Sequence, residues 1–349
     1  MSETVISFVS TRGRSFNIDL RLVKEYLSRH LPEVKFEYYL NKTSTQYPMI
    51  NKKMEDGRRT FCANAKNIVC MDSSIPIKIP SAKEGEHRLF LSAPFDYQFK
   101  VFLEYAAHPE QKKKKTYIRC THIVPGSPFC SKLLRNCYQW EDGVTFLDQI
   151  CLPVCWDMMQ PEKQNIARKN IEFYYPFIKE KKILSILFSG KVEAGEEEEE
   201  PQNPFGDFSL KEVLDLIKDD WFIVTNNYYL IETACQLSSD YKNCFGYTKN
   251  KFSVNDLLYI SDMLITNNSK YATMIAARKK PFYYAEYTEK HFGAFIKKYF
   301  PELYLGEIHN ITTINFSAEE LSEQQKIFCR EFAYDTEQNP MEKILEIFQ

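Results

Sequence analysis

The chain opens with a short apolar run, Val5-Ile6-Ser7-Phe8-Val9-Ser10, whose β-branched and aromatic side chains predict a strand. A polar stretch with Gly13 follows as a loop. Leu20, Val23, Leu27 and Leu31 then recur at helical spacing and predict a helix. Val34 to Leu40 returns to the aromatic, β-branched type and predicts a second strand. Apolar runs at Asn67 to Met71, Arg88 to Leu91 and His122 to Val124 continue the series, and a helix starts after Ser127. These runs are continuous rather than alternating, which suits strands buried on both faces. Strands separated by helices therefore predict an α/β fold with a parallel sheet.

The same alternation restarts in the second half. Ile183 to Phe188 reads as a buried strand, and Ser189 to Phe208 as a long loop. A helix from Ser209 carries Leu210, Val213, Leu214 and Ile217 on one face. Trp221 to Val224, Met263 to Thr266 and Pro281 to Tyr284 are the next strands. Ser253 caps a helix with Leu257, Leu258 and Ile260, and Lys270 to Ala277 forms another. The tail from Ala318 is mostly helical, with Pro340 as an interruption. The expected division lies near Pro176, giving domains 1–175 and 176–349.

Composition narrows the class. A length of 349 residues suits two domains, and 44% hydrophobic with 26% charged residues is globular. The net charge of −2 carries no bias towards nucleic acid, so no nucleic-acid partner is expected. The N-terminus lacks the basic-then-apolar order of a signal peptide, and no long uninterrupted apolar run is present. A cytoplasmic location is the expectation. The 10 cysteines lie on apolar runs, as in Asn67-Ile68-Val69-Cys70, and read as buried free thiols. No Cys-x-x-Cys pair occurs, so no structural zinc is expected. No other metal and no resident cofactor are expected.

Ligands of open α/β sheets collect beyond the carboxyl ends of the strands. That directs attention to the loops Arg12 to Asn17, Ser92 to Tyr97, Pro125 to Ser127, Ser189 to Lys191, Asn226 to Tyr229 and Asn267 to Lys270. Thr266-Asn267-Asn268-Ser269-Lys270 joins a strand directly to a helix start. Free backbone N–H groups and the helix dipole favour an anion there, and Lys270 adds charge. An ordinary capped helix start is the competing interpretation. Lys191, after another strand, is a second candidate for the same phosphate. No Gly-x-Gly-x-x-Gly, Walker, zincin or nucleophile-elbow motif occurs. The six histidines are scattered, and His108 alone follows a candidate loop. Gly195 to Glu200 is an acidic run that reads as a solvated loop, with a flap over a site as its alternative. Lys112 to Lys115 is the basic counterpart, able to touch anionic lipid head groups.

Several loops resemble, in order, those of the CDP-glycerol:poly(glycerol phosphate) glycerophosphotransferases, the teichoic acid polymerase family. The first is Ser10-Thr11-Arg12-Gly13-Arg14-Ser15-Phe16-Asn17. Ala63 to Val69, Arg88 to Lys100, Ser127-Pro128-Phe129 and Leu152-Pro153 follow. The segment from Asn255-Asp256-Leu257-Leu258 through Ser269, and then Lys279 to Tyr284, is the most specific part.

The resemblance implies a GT-B architecture: two Rossmann-like domains facing a cleft, with the C-terminal helices packing back on the first. It implies a nucleotide-activated donor such as CDP-glycerol, held by the second domain. It further implies a surface-polymer or lipid-linked acceptor, met by a peripheral protein at the inner face of the membrane. Carried over by position, Gly13 and Asn17 belong to the acceptor-side loop, and Asn226, Asn227, Asn267, Asn268, Ser269 and Lys270 to the donor side, where Lys191 is added for its place after a strand. The family's histidine base falls on Ser92, which is expected to face the cleft. Asp96 and His108 are the remaining candidates for a base. Its donor-side histidine falls in Thr225-Asn226-Asn227-Tyr228, its aspartate on Asn267 and its arginine after the proline turn on Val154. An unperturbed serine hydroxyl does not accept a proton near neutral pH as an imidazole does. A transferase with substituted catalytic groups, a silent homologue that binds a partner, and a sugar-nucleotide glycosyltransferase are the three readings this leaves.

Overall fold

The computed structural model describes residues 4–10, 18–40, 60–71, 81–92, 96–107, 117–140, 142–188, 210–217, 219–226, 228–241, 244–247, 252–285, 290–306, 314–317, 320–334 and 337–349. The chain forms two compact units. The first comprises residues 1–93, 104–156 and 331–349, and the second residues 94–103 and 157–330.

The first unit is built on β1 (Val5–Ser10), α1 (Ile18–His30), β2 (Lys35–Leu40), β3 (Asn67–Met71) and β4 (Arg88–Leu91). After α2 (Asp96–Ala107) come β5 (Tyr117–Ile118), β6 (His122–Val124), α3 (Pro128–Cys137), β7 (Gln139–Trp140), β8 (Thr145–Phe146) and α4 (Pro153–Met159). Six strands form one sheet in the order β2-β1-β3-β4-β6-β8, and every pair is parallel. β5 and β7 pair separately. β3 and β4 are buried almost throughout, which explains their unbroken apolar sequences. Helix α3 starts where Ser127 Oγ accepts the Cys130 N–H at 3.2 Å, with Pro128 in the first turn. Asp19, fully buried in the first turn of α1, accepts the Val154 N–H at 2.9 Å and so holds the start of α4. Eight of the ten cysteines are buried, as small apolar side chains would be. Burial pushes the Cys151 thiol up to about 12.

The second unit contains α5 (Pro161–Tyr174), β9 (Lys182–Leu187), α6 (Leu210–Ile217), β10 (Trp221–Thr225), α7 (Tyr228–Gln236) and β11 (Phe245–Tyr247). It continues with α8 (Val254–Ile260), β12 (Met263–Thr266), α9 (Ser269–Ala277), β13 (Phe282–Ala285), α10 (Lys290–Tyr299), β14 (Tyr304–Gly306) and α11 (Glu323–Phe332). Its strand order is β11-β10-β9-β12-β13-β14, all parallel. In order of sequence this is the 3-2-1-4-5-6 arrangement of a doubly wound nucleotide-binding sheet, whose direction of winding reverses between β9 and β12. Leu184, Ile186, Leu214, Ile223, Met263 and Ile265 lie in its core. Ser253 and Asp256 form the reciprocal capping box of α8. The half-buried Arg278 donates to the Leu258 and Ser261 carbonyls at 2.8 and 2.7 Å, closing the other end of that helix.

The units divide at Trp156 and Asp157, not near Pro176. Helix α5 packs on α8, and Tyr259 donates a hydrogen bond to Asp157. Arg168 donates to the carbonyls of Ile178, Lys179 and Lys181, fixing the turn that enters β9. Pro176 punctuates the sequence, but these contacts decide the grouping. The first turns of α2 also group with the second unit, where Phe99 lies 4.7 Å from Phe292 and 5.0 Å from Phe295 between ring centroids. Helix α12 (Pro340–Phe348) packs on α1 within the first unit. Pro340 begins this helix rather than interrupting one, with Asn339 as its cap. Among the described residues no helix is long and apolar enough to cross a membrane.

Candidate functional site

The carboxyl edge of the second sheet gathers the polar residues that the sequence singles out. The central strand β9 ends at Leu187, with β10 on one side and β12 on the other. Each neighbour ends in the same tripeptide, Thr225-Asn226-Asn227 and Thr266-Asn267-Asn268. The two threonines act alike. Thr225 Oγ1 donates to the Ile186 carbonyl at 2.7 Å, and Thr266 Oγ1 donates to the Leu187 carbonyl at 2.6 Å. Both are fully buried. Thr266 Oγ1 also accepts the Asn268 N–H at 3.0 Å, which sets the turn into α9.

The asparagines extend this frame. Asn226 Oδ1 accepts the Phe188 N–H at 2.9 Å, and its Nδ2 donates to the Phe188 carbonyl at 2.8 Å. Asn226 thereby prolongs the ladder past the end of β9. Asn267 is fully buried. Asn268 is the N-cap of α9: its Oδ1 accepts the N–H groups of Lys270 at 2.9 Å and Tyr271 at 3.2 Å. Ser269 is buried in the first turn, and its carbonyl accepts from Thr273 Oγ1 at 3.0 Å. Lys270 is partly exposed beside them. The helix start is therefore polar and positively polarised, and two of its amides are already taken by the cap. An anion there would meet the dipole, Lys270 and the remaining amides, or would displace the Asn268 side chain.

In the first unit the corresponding strand end at Ser92 is buried. This residue continues β4, its N–H donating to the Val124 carbonyl at 2.9 Å, and it has no exposed surface. Gly126, at φ +75°, packs against it. A Cβ there would lie 2.6 Å from Leu152 Cγ and 3.2 Å from the Ser92 carbonyl oxygen, so only glycine fits. Ser92 thus has no exposed surface, where an open position was expected. Asp96 begins α2, but its side chain lies outside the described residues. So do Gly13, Asn17, His108, Lys191 and Asn227, and the runs 112–115 and 195–200. The structure brings Asn226, Asn267, Asn268, Ser269 and Lys270 to one sheet edge. It adds Thr225 and Thr266, which sequence reasoning passed over; the repeated Thr-Asn-Asn at two strand ends was the signal.

This architecture is that of GT-B proteins: two units, each with a six-stranded parallel sheet between helices. A histidine variant of the wall teichoic acid polymerase TagF superposes with TM-score 0.59 at 14% identity, over 99% of this chain and 88% of that one. The MnaA protein of S. aureus in its UDP co-structure gives TM-score 0.52 at 10% identity, over 98% of this chain and 95% of that one. A putative UDP-N-acetylglucosamine 2-epimerase from Listeria monocytogenes gives TM-score 0.54 at 11% identity, over 99% and 95%. At such identities the likeness is one of fold. No protein-family model matches the chain, and no curated protein sequence does.

Proposed function

We propose that the protein binds a nucleotide-activated donor at the carboxyl edge of the second sheet and is a GT-B-type transferase. The observation that carries this reading is the polar frame at the strand reversal, where Thr266, Asn268, Ser269 and Lys270 form the start of α9. Ligands of doubly wound sheets bind at that place, and a helix start suits a diphosphate. The likeness in fold extends to a TagF variant soaked with CDPG (TM-score 0.56, 14% identity, 99% of this chain and 88% of that one) and to the UDP co-structure above, which supports a nucleotide donor. The reaction is the transfer of a glycerol-phosphate or glycosyl group to a surface-polymer or lipid-linked acceptor, at the inner face of the membrane. Lys270 and the α9 dipole stabilise the departing phosphate. Asp96 and His108 are the candidate bases.

A second reading, a silent homologue that binds a partner in surface-polymer synthesis, is favoured by Ser92. That residue stands at the family's base position and is enclosed. A thermal-shift screen with CDP-glycerol, CDP-ribitol, CMP and UDP-sugars separates the two. A ligand at 100 times its Kd stabilises by about 2.7 kcal/mol. A shift with a cytidine or uridine nucleotide, followed by release of the nucleoside phosphate on adding acceptor, supports the transferase. No shift with any of them supports the silent homologue.

A further inference from the structure

Helix α5 carries an apolar ridge on its outer side. Among the described residues, the exposed large apolar side chains Tyr38, Leu216 and Tyr299 occur singly, on β2, α6 and α10. Ile166, Phe173 and Tyr174 share α5. Phe173 is 81% exposed and Ile166 50%. Single exposed apolar residues need no explanation, but a group on one helix does. The helix buries Ala167 and Ile171 and packs on α8. By helical spacing, Glu162, Ile166, Lys169 and Phe173 form one stripe on the opposite side.

The Phe173 ring is braced. It stands at right angles to Tyr174, 5.2 Å away between centroids, and Tyr174 stands edge-on to Phe252 at 5.4 Å. A ring supported in this way has less freedom to lose on meeting a partner. Phe173 and Tyr174 together expose on the order of 250 Å². That is the scale of the apolar centre of a small interface, not of a permanent one.

The charges of α5 indicate what covers the ridge. Lys163 pairs with Asp157 at 3.6 Å, and Arg168 with Glu172 at 2.9 Å. Glu162 and Lys169, the two charges on the stripe, are exposed and have no ion pair among the described residues. They stand about 10 Å apart along the axis, too far to pair within one helix. A second copy of α5, antiparallel across the stripe and related by a two-fold axis near Ile166, sets Glu162 opposite the partner's Lys169 and Lys169 opposite the partner's Glu162. It also brings the two Ile166 side chains together. Phe173, whose Cα–Cβ bond leans towards the helix N-terminus, then lies over the partner's Pro161. One charge of each sign suits a copy of the same stripe and gives no pull towards an anionic bilayer.

We propose that α5 is a self-association surface, through which two copies of the chain form a weak antiparallel dimer centred on Ile166 and set in register by two Glu162–Lys169 pairs.

Sedimentation equilibrium of the full chain measures the dimer constant. The parent shows a concentration-dependent monomer–dimer equilibrium. Phe173→Ser weakens it about tenfold or more without unfolding the chain, since that side chain is 81% exposed. Glu162→Lys and Lys169→Glu each weaken it by a similar factor, because each replaces two opposite-charge contacts with two like-charge ones. An equal mixture of these two variants recovers the parent's constant, because each copy supplies the charges that the other lacks. A change in folding alone gives no such recovery. The proposal is overturned if the parent is monomeric at every concentration, if Phe173→Ser dimerises as the parent does, or if the mixture does not recover. It is overturned too if the parent, as a monomer, binds vesicles of phosphatidylcholine and phosphatidylglycerol and Phe173→Ser does not, which would assign the ridge to a lipid surface.

Discussion

Asn226 holds Phe188 by both of its main-chain polar groups, accepting from its N–H at 2.9 Å and donating to its carbonyl at 2.8 Å. A side-chain amide here does what another residue of a paired strand would do. The result is that β9, the strand on either side of which the sheet winds outward, stays anchored one residue beyond its last ladder bond. The sequence marks Asn226 as a donor-binding candidate; the geometry gives it a structural task first.

Asn226→Ala therefore leaves both Phe188 groups without this partner and destabilises the protein by about 1–3 kcal/mol. Asn226→Asp keeps the acceptor, loses the donor and falls between. Urea unfolding of the three proteins checks the order. An unchanged midpoint for Asn226→Ala would mean that water replaces the amide without loss.

The twin threonines both brace β9, Thr225 through the Ile186 carbonyl and Thr266 through the Leu187 carbonyl. Thr266 Oγ1 also accepts from the Asn268 N–H. Thr266→Val should cost about 1–3 kcal/mol, because it leaves the Leu187 carbonyl and the Asn268 N–H without this partner. An unchanged midpoint in denaturant titrations would show that these contacts contribute nothing.

Much of the sheet pattern was legible because both sheets are parallel and covered. A strand buried on both faces must be apolar along its whole length, so Asn67–Met71, Arg88–Leu91, His122–Val124 and Met263–Thr266 stand out from their surroundings. The short edge elements β5, β7, β8, β11 and β14 do not, since two or three residues carry no period. The division of the chain was hidden for another reason. Helix α5 packs on α8, and Tyr259 bonds Asp157, so residues distant in sequence tie this stretch to the second unit, and Pro176 only resembles a boundary. At the site, Asn268 and Ser269 were recognisable from the strand-to-helix junction. The burial of Ser92 was not, because it depends on a segment distant in sequence, the one that carries Val124 and Gly126, meeting the strand end.

His122 gives the first unit an acid-sensitive point. Burial, and secondarily His87, lower its pKa below the ordinary histidine value of about 6.5. Its ring nitrogen lies 2.9 Å from Thr121 Oγ1, and His87 in turn contacts Phe348 of α12. A base whose folded pKa is depressed binds fewer protons than in the unfolded chain. Its contribution is intact above the unfolded value and is lost as pH falls through the folded one. His122→Gln should therefore lose less stability than the parent between about pH 7.5 and about pH 5.5. Urea midpoints at both pH values test this, and parallel losses would assign the acid sensitivity elsewhere.

The start of α9 offers the sharpest test of donor binding, because the cap and the proposed phosphate compete for the same amides. Asn268 already accepts from the N–H groups of Lys270 and Tyr271. Asn268→Asp keeps an equally good cap and adds a negative charge that favours the helix dipole, so the fold is as stable as before or slightly more so. The same charge repels a diphosphate. Nucleotide affinity should then fall while the thermal midpoint does not, a combination that a purely structural role cannot produce. Lys270→Ala and Ser269→Ala should also weaken binding of a nucleoside diphosphate. For Lys270 the lost contact is charge-assisted, which corresponds to about 1.5–3 kcal/mol. Ser92→Ala should leave affinity unaltered, since Ser92 is enclosed in the other unit. Calorimetric titration of the four variants decides the matter: equal affinities throughout would show that Asn268 caps a helix that binds no phosphate.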